Sequence, residues 1–283
     1  MLLENTKTGK KYPFTLEAVG ACNPETLALS ISEIQKHNLP VTRIVSIVGL
    51  DELMAKGWIR PMLQMAQDAG IRLIVPPISP LVEMYDGKLE QRWNYGTLEG
   101  AWLGTAWNDD TFEKCGEVLD AFVLDYDDEF FLDDCFGILV TDPAILTVSV
   151  YFFTKVSVLC GTSNSFRAWT ATELGAQSIN LLPMHVEQVR EISQMVGRSA
   201  LIDVYIDPPR SICPPWYTLD DVIALAPQYV EAGAYVLKAE GTENIAQLLD
   251  PEYLTKIAIQ RQTEVFLEVM DALNTSPYRI LSE

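Results

Sequence analysis

Several signals that often decide a function early are missing from this chain of 283 residues. No apolar run reaches the roughly 18 to 20 residues that a membrane-spanning helix requires. The first residues, Met1 to Phe14, have neither the apolar stretch nor the small-residue cleavage site of a secretory signal, so a cytoplasmic location is expected. Basic residues are scarce, 20 against 39 acidic ones, which gives a net charge of −19 and a pI near 4.4. Such a field repels phosphate backbones and anionic lipid surfaces, so nucleic acid and membranes are not the expected partners. The five cysteines, Cys22, Cys115, Cys135, Cys160 and Cys213, are widely spaced. No CxxC pair exists, which excludes the zinc-ribbon and thioredoxin patterns and leaves unliganded thiols as the expectation. No GxGxxG follows the first strand and no GxxxxGK[ST] occurs, so there is no nucleotide-cofactor motif. Only two histidines are present, His37 and His185. No GxSxG accompanies them, which leaves a hydrolytic triad without support.

Linkers rich in Gly, Ser or Pro are also absent, as are internal repeats, and residues 1–283 read as one domain. The densest acidic cluster runs from Asp125 to Glu129 and on to Asp133 and Asp134. It lacks the Asp-x-Asp-x-Asp-Gly order of a calcium loop and reads as a solvated helix or turn.

What the chain does contain is alternation. Short β-branched runs recur at Phe14–Gly20, Arg43–Gly49, Ile71–Pro76, Gly137–Thr141, Lys155–Leu159, Gln177–Leu182, Ala200–Ile206 and Ala234–Ala239. Helical stretches separate most of them, and Asn23-Pro24-Glu25 is a well-formed helix start. Strands alternating with helices imply a parallel sheet with helices outside, and eight strands favour closure into a (βα)8 TIM-like barrel. The segment 83–107 reads as a hairpin or lid excursion with a turn at Tyr85–Lys88, holding Trp93, Tyr95, Trp102 and Trp107. Gly100–Gly104 competes as a ninth strand. Residues 251–273 read as one amphipathic C-terminal helix. An open doubly wound sheet is the alternative.

Parity within the strands assigns side chains to faces. One face of a barrel strand packs under helices and must be apolar, whereas polar groups belong to the interior near the catalytic mouth. Ile202, Val204 and Ile206 share one parity, so Asp203, Tyr205 and Asp207 point inward. Tyr235, Leu237 and Ala239 form the helix-facing set, so Val236, Lys238 and Glu240 point inward. The same test turns Glu17 and Asn180 inward. Lys238 is thus expected beside Asp207 or Asp203, with Glu240 one layer higher.

Such a cluster has two readings: a buried ion pair that fixes the barrel register, or a site at the strand C-terminal ends where barrels bind ligands. A Schiff-base lysine works as a free amine, whereas neighbouring carboxylates favour the ammonium form. Lys238 is therefore read as a permanent cation that anchors a substrate anion, with lyase or aldolase chemistry as an alternative. Asp207, Glu240, Glu17 and Tyr205 complete the candidate catalytic set. Asn180, Asp203 and the hydroxyl-rich Thr162, Ser163 and Asn164 are the candidate substrate-binding residues, the last three as an anion cradle or as plain helix caps. If Glu17, Asp207, Glu240 and His185 converge, a divalent metal is a candidate cofactor.

The run Lys155-Val-Ser-Val-Leu-Cys-Gly161, followed by Arg167, Trp169 and Glu173-Leu-Gly-Ala176, resembles the U-32 peptidase-like barrels. The likeness continues through Asp203–Pro209 and Tyr235–Lys238 and covers roughly the C-terminal half. This resemblance implies a barrel and a peptidase or hydrolase label. The chain lacks the closely spaced cysteines of the iron–sulfur members and the Glu-x-Phe-x-x-Gly-x-x-Cys stretch of the collagenase-like branch. The expectation is an enzyme acting on a small polar, anionic metabolite at the barrel mouth. Its alternatives are a peptidase, a lyase, and a non-catalytic barrel that binds a ligand or assembles as a homo-oligomer.

Overall fold

A computed structural model describes residues 1–78, 81–83, 89–91, 109–140, 143–153, 155–160, 165–207, 218–241 and 257–282. Eight parallel strands close into a barrel in the order β3 (Thr15–Ala21), β4 (Val41–Ser46), β5 (Arg72–Val75), β8 (Phe136–Val140), β9 (Val156–Cys160), β10 (Ser178–Leu181), β11 (Leu201–Asp207) and β12 (Ala234–Ala239). The ring shuts where β12 pairs with β3, Lys238 lying beside Glu17 in register. These are the eight runs expected from the sequence, with ends shifted by at most three residues. Each run is buried on both faces, which is why β-branched and aliphatic residues dominate it.

Helices cover the outside, and their ends carry local reasons to stop and start. Asn23 Oδ1 accepts the backbone N–H of Thr26 at 2.9 Å, and Pro24 opens the helix Pro24–Lys36. Thr218 caps the helix Leu219–Ala232 in the same way, with Asp221 returning the bond. That helix ends at Gly233, whose φ of +114 suits glycine, and an added Cβ there would fall 2.0 Å from Ser193 Oγ. The amphipathic C-terminal helix is described over Ile259–Leu273. Residues 251–256 of its expected span lie outside the described residues.

The hairpin excursion is present as the antiparallel pair β6 (Leu81–Glu83) and β7 (Leu89–Gln91). Its turn at Tyr85–Lys88, the competing strand at Gly100–Gly104 and the aromatics Trp93, Tyr95, Trp102 and Trp107 lie outside the described residues.

One element was not anticipated. β1 (Leu2–Asn5), β2 (Lys10–Pro13) and β13 (Tyr278–Leu281) form an antiparallel sheet joining the two ends of the chain. β2 leads directly into the N-terminal end of β3, so this sheet belongs to the floor of the barrel. Glu231, near the end of Leu219–Ala232, ties it down by accepting from Asn5 Nδ2 at 3.2 Å, the Tyr12 hydroxyl at 3.2 Å and the Tyr278 hydroxyl at 2.7 Å. Among the described residues no helix is long and apolar enough to cross a membrane.

Candidate active site

The interior of the barrel is polar on one side. Parity correctly turned Glu17, Asn180, Asp203, Tyr205 and Lys238 inward, and none of the five exceeds 2% exposure. At the centre the Lys238 ammonium stands 2.7 Å from Glu17 Oε1 and donates to Asn180 Oδ1 at 2.9 Å. The ring of Tyr205 lies over it, 4.7 Å from Nζ to centroid, a favourable cation–π placement between two buried side chains.

The expected neighbours of Lys238 were Asp203 or Asp207, and the structure corrects this. Strand register puts Asp203 opposite Val236, one layer below Lys238, and Tyr205 opposite Lys238. The adjacent β3 then supplies the nearest carboxylate, Glu17. Asp203 is held instead by Arg43, a residue the sequence reading did not single out. Its guanidinium spans both acids, with Nε 2.6 Å from Glu17 Oε2 and Nη2 2.5 Å from Asp203 Oδ2. Nη1 donates to Ser178 Oγ at 3.2 Å, and Ser178 in turn donates to Asp203.

The signal for Arg43 was weak. Ser46, on the helix-facing parity, spoils the alternation of Thr42–Ile47, although its hydroxyl simply bonds the Val48 carbonyl at 2.7 Å.

Two cations and two carboxylates thus form one buried network of balanced charge. The two acids differ in proton affinity. Burial pushes Glu17 up, but Arg43 and Lys238 together outweigh it and hold the carboxyl below its usual range. Burial pushes Asp203 up as well, and Arg43 and Ser178 offset this only in part, so Asp203 stays above its usual range. Asp203 Oδ1 has no hydrogen-bond partner among the described residues.

Above Lys238 the polar groups continue to the C-terminal rim. Tyr205 is hydrogen-bonded to Glu240, and burial followed by that carboxylate raises its phenol well above its usual value. The phenol therefore stays protonated and donates. Glu240 follows β12, Asp207 ends β11, and both are buried, with the Glu240 N–H donating to the Asp207 carbonyl at 3.1 Å. A separate cluster of described residues, Val19, Val45, Ile47, Ile74, Leu139 and Leu182, packs with Tyr205 and is aliphatic apart from that ring.

Other expected site residues do not join this group. His185 is an exposed residue at the N-cap of the helix Val186–Val196, where its own N–H donates to Gln188 Oε1 at 3.3 Å. Among the described residues no group of three or more His, Cys, Asp and Glu side chains is arranged to hold a metal ion. That covers Glu17, Asp207, Glu240 and His185, and Glu17 is already engaged by Lys238 and Arg43. Thr162, Ser163 and Asn164 lie outside the described residues. Cys22 donates its thiol to the Gly20 carbonyl at 3.2 Å, and burial followed by Glu52 pushes it up to about 12. It is therefore a poor thiolate ligand.

No protein-family profile matches the chain, and no curated protein matches it. Solved structures do match. A truncated form of 3-deoxy-D-arabino-heptulosonate 7-phosphate synthase from Thermotoga maritima aligns over 96% of this chain and 92% of its own, with 11% identity and a TM-score of 0.51. A chain of the tryptophan synthase a2b2 complex from the hyperthermophile Pyrococcus furiosus aligns over 92% of this chain and 99% of its own, with 9% identity and a TM-score of 0.50. Both are enzymes, and at such identities the likeness carries the fold alone. The U-32 resemblance likewise reaches no further than the barrel. The chain folds as a (βα)8 barrel with a small antiparallel sheet joining its two ends.

Proposed function

We propose that this barrel is an enzyme acting on a small polar metabolite at its C-terminal mouth, with Glu240 as the acid/base group. One observation carries the reading. The column Lys238–Tyr205–Glu240 runs from the buried centre to the rim on two adjacent strands, while the described cluster packed against Tyr205 is aliphatic. A charge network needed only to fix register would stop at the centre. Here it extends to the end of the barrel where ligands of this architecture bind.

In this reading Tyr205 orients the Glu240 carboxylate through its hydroxyl. Lys238 is a positioning residue, because Glu17 already neutralises it and it lies beneath the Tyr205 ring. The anchor for a substrate anion is then not Lys238 itself, whose Nζ is already engaged by Glu17 at 2.7 Å and by Asn180 at 2.9 Å. Asp207 stands beside Glu240 as the second acidic group at the rim.

Mass spectrometry of metabolites that co-purify with the native protein would identify the substrate. Glu240→Gln should then keep the fold and cost at least ~100-fold in turnover, the usual loss when a general acid or base is removed. Turnover within a few-fold of wild type would overturn the assignment. A second reading rests on the exact charge balance of Glu17, Asp203, Arg43 and Lys238: a non-catalytic barrel held in register by ion pairs. It predicts binding without turnover of the co-purified compound.

A further inference from the structure

The opposite end of the barrel holds a cavity of about 280 Å³ where β4, β5, β9, β10 and β11 begin. Four cationic side chains line it, Arg43, Arg72, Lys155 and Arg198, with serine hydroxyls and the Gln177 amide between them. No acidic side chain is among its described lining residues. In a chain with about twice as many acids as bases, composition does not account for this concentration.

The charges in the cavity are also unevenly used. Arg43 is committed to Glu17 and Asp203. Arg72 donates from Nη2 to the Asp133 carbonyl at 3.1 Å, and its buried Nε has no hydrogen-bond partner among the described residues. Among the described residues neither the Lys155 ammonium nor the Arg198 guanidinium has an ion-pair or hydrogen-bond partner, although the Lys155 carbonyl accepts from the Ile138 N–H. Burial, then repulsion from Arg43, lowers the proton affinity of Arg72, and Asp133 and Asp134 offset this only in part.

Gly137 on β8 lies against residues of this cluster. A Cβ at that position would come within 2.8 Å of Ile74 Cδ1 and 3.0 Å of the Lys155 carbonyl. Gln177, Arg198 and Ser199 are exposed at the outer edge, so a solute can reach the cavity from solvent.

We propose that this cavity is a second ligand site, which binds a compact polyanion carrying two or more phosphate or carboxylate groups. Two cations with no carboxylate partner among the described residues, Lys155 and Arg198, and the unpartnered Arg72 Nε, with serine hydroxyls between them, match the several oxygens of such a ligand. The volume exceeds that of a single orthophosphate and suits a small polyanion. The site lies at the end of the barrel away from Glu240 and does not depend on the function proposed for the mouth.

Calorimetric titration of the full chain with pyrophosphate and, separately, with citrate tests this against sodium chloride of matched ionic strength. At least one of the two should bind saturably, and the tighter of them tells phosphate from carboxylate chemistry. Lys155→Ser combined with Arg198→Ser should weaken that binding by roughly tenfold or more, the loss expected on removing charge-assisted contacts. Its thermal midpoint should not move, because Arg198 is exposed and Lys155 only half-buried. Glu240→Gln should bind the anion as wild type does, which keeps failure here separate from failure at the mouth. Absence of saturable binding of both anions below about 10 mM, or equal affinity in the double variant, would overturn the site.

Discussion

Above Arg43 the two halves of the barrel lumen are filled by opposite means. On β4, β5 and β8 the inward residues are Val45, Ile74 and Leu139. On β10, β11 and β12 they are Asn180, Tyr205 and Lys238, joined by Glu17 from β3. The apolar half shows that above Arg43 these strands pack their inward positions with aliphatic side chains. A buried ion pair is seldom the more stable filling, since desolvation takes back much of the Coulomb attraction. The polar half is therefore poorly explained by stability. What distinguishes it is that its groups lead to Glu240 and Asp207 at the rim, and this asymmetry is the strongest support for a site at that mouth.

The comparison breaks most sharply at Lys238. Lys238→Met should leave Glu17 short of one cation and Asn180 without its donor, at a cost of roughly 3 to 5 kcal/mol, read as a large fall in the unfolding midpoint. Adding Glu17→Gln to that variant should recover part of the loss, because the uncompensated charge is removed with its partner. A Lys238→Met protein as stable as wild type would mean that the polar half carries no more energetic weight than the apolar one. In the apolar half, Ile74→Val should cost only about 0.5 to 1.5 kcal/mol, the price of one buried methylene and an incompletely closed space. Denaturant titration of both variants under one set of conditions places the two halves on a single scale.

The same contrast explains what could be read from the sequence. The eight barrel strands were legible because each is a short β-branched run between helical stretches, and burial on both faces leaves little room for other residue types. Parity placed Glu17, Asn180, Asp203, Tyr205 and Lys238 in the lumen, since the opposite parity of their strands is apolar. Parity does not set height, however. The stagger between neighbouring strands decides that Lys238 meets Glu17 and that Asp203 meets Arg43. Arg43 was missed because Ser46 makes the outer parity of its strand look polar. The terminal sheet was missed for another reason. β1 and β2 are four residues each, and β2 is largely exposed. Their third partner, β13, lies at the far end of the chain, so no local pattern announces the pairing.

The other carboxylate hub, Glu231, is partly solvated where Glu17 is sealed, and its expected effect is far smaller than that at Lys238. Three side chains donate to it, from Asn5, Tyr12 and Tyr278. Burial pushes its carboxyl up, but the bonds from Tyr278, Tyr12 and Asn5 outweigh this and hold it below its ordinary value of 4.5. A carboxyl whose folded affinity for protons is depressed stabilises the fold fully above the unfolded value, and that contribution fades as pH falls through the folded one. Glu231→Gln retains one acceptor oxygen and should cost about 1 kcal/mol near neutral pH, the scale of a net hydrogen bond at a partly solvated position. The gap between variant and wild type should then narrow as pH drops below 4.5, because the protonated wild-type side chain comes to resemble the amide. Thermal unfolding of the pair from pH 7 to pH 3 measures it. A gap that stays constant across that range would mean that the three bonds do not depend on the charge of Glu231. The contrast between a buried, charge-dependent hub and a solvated one would then lose its second term.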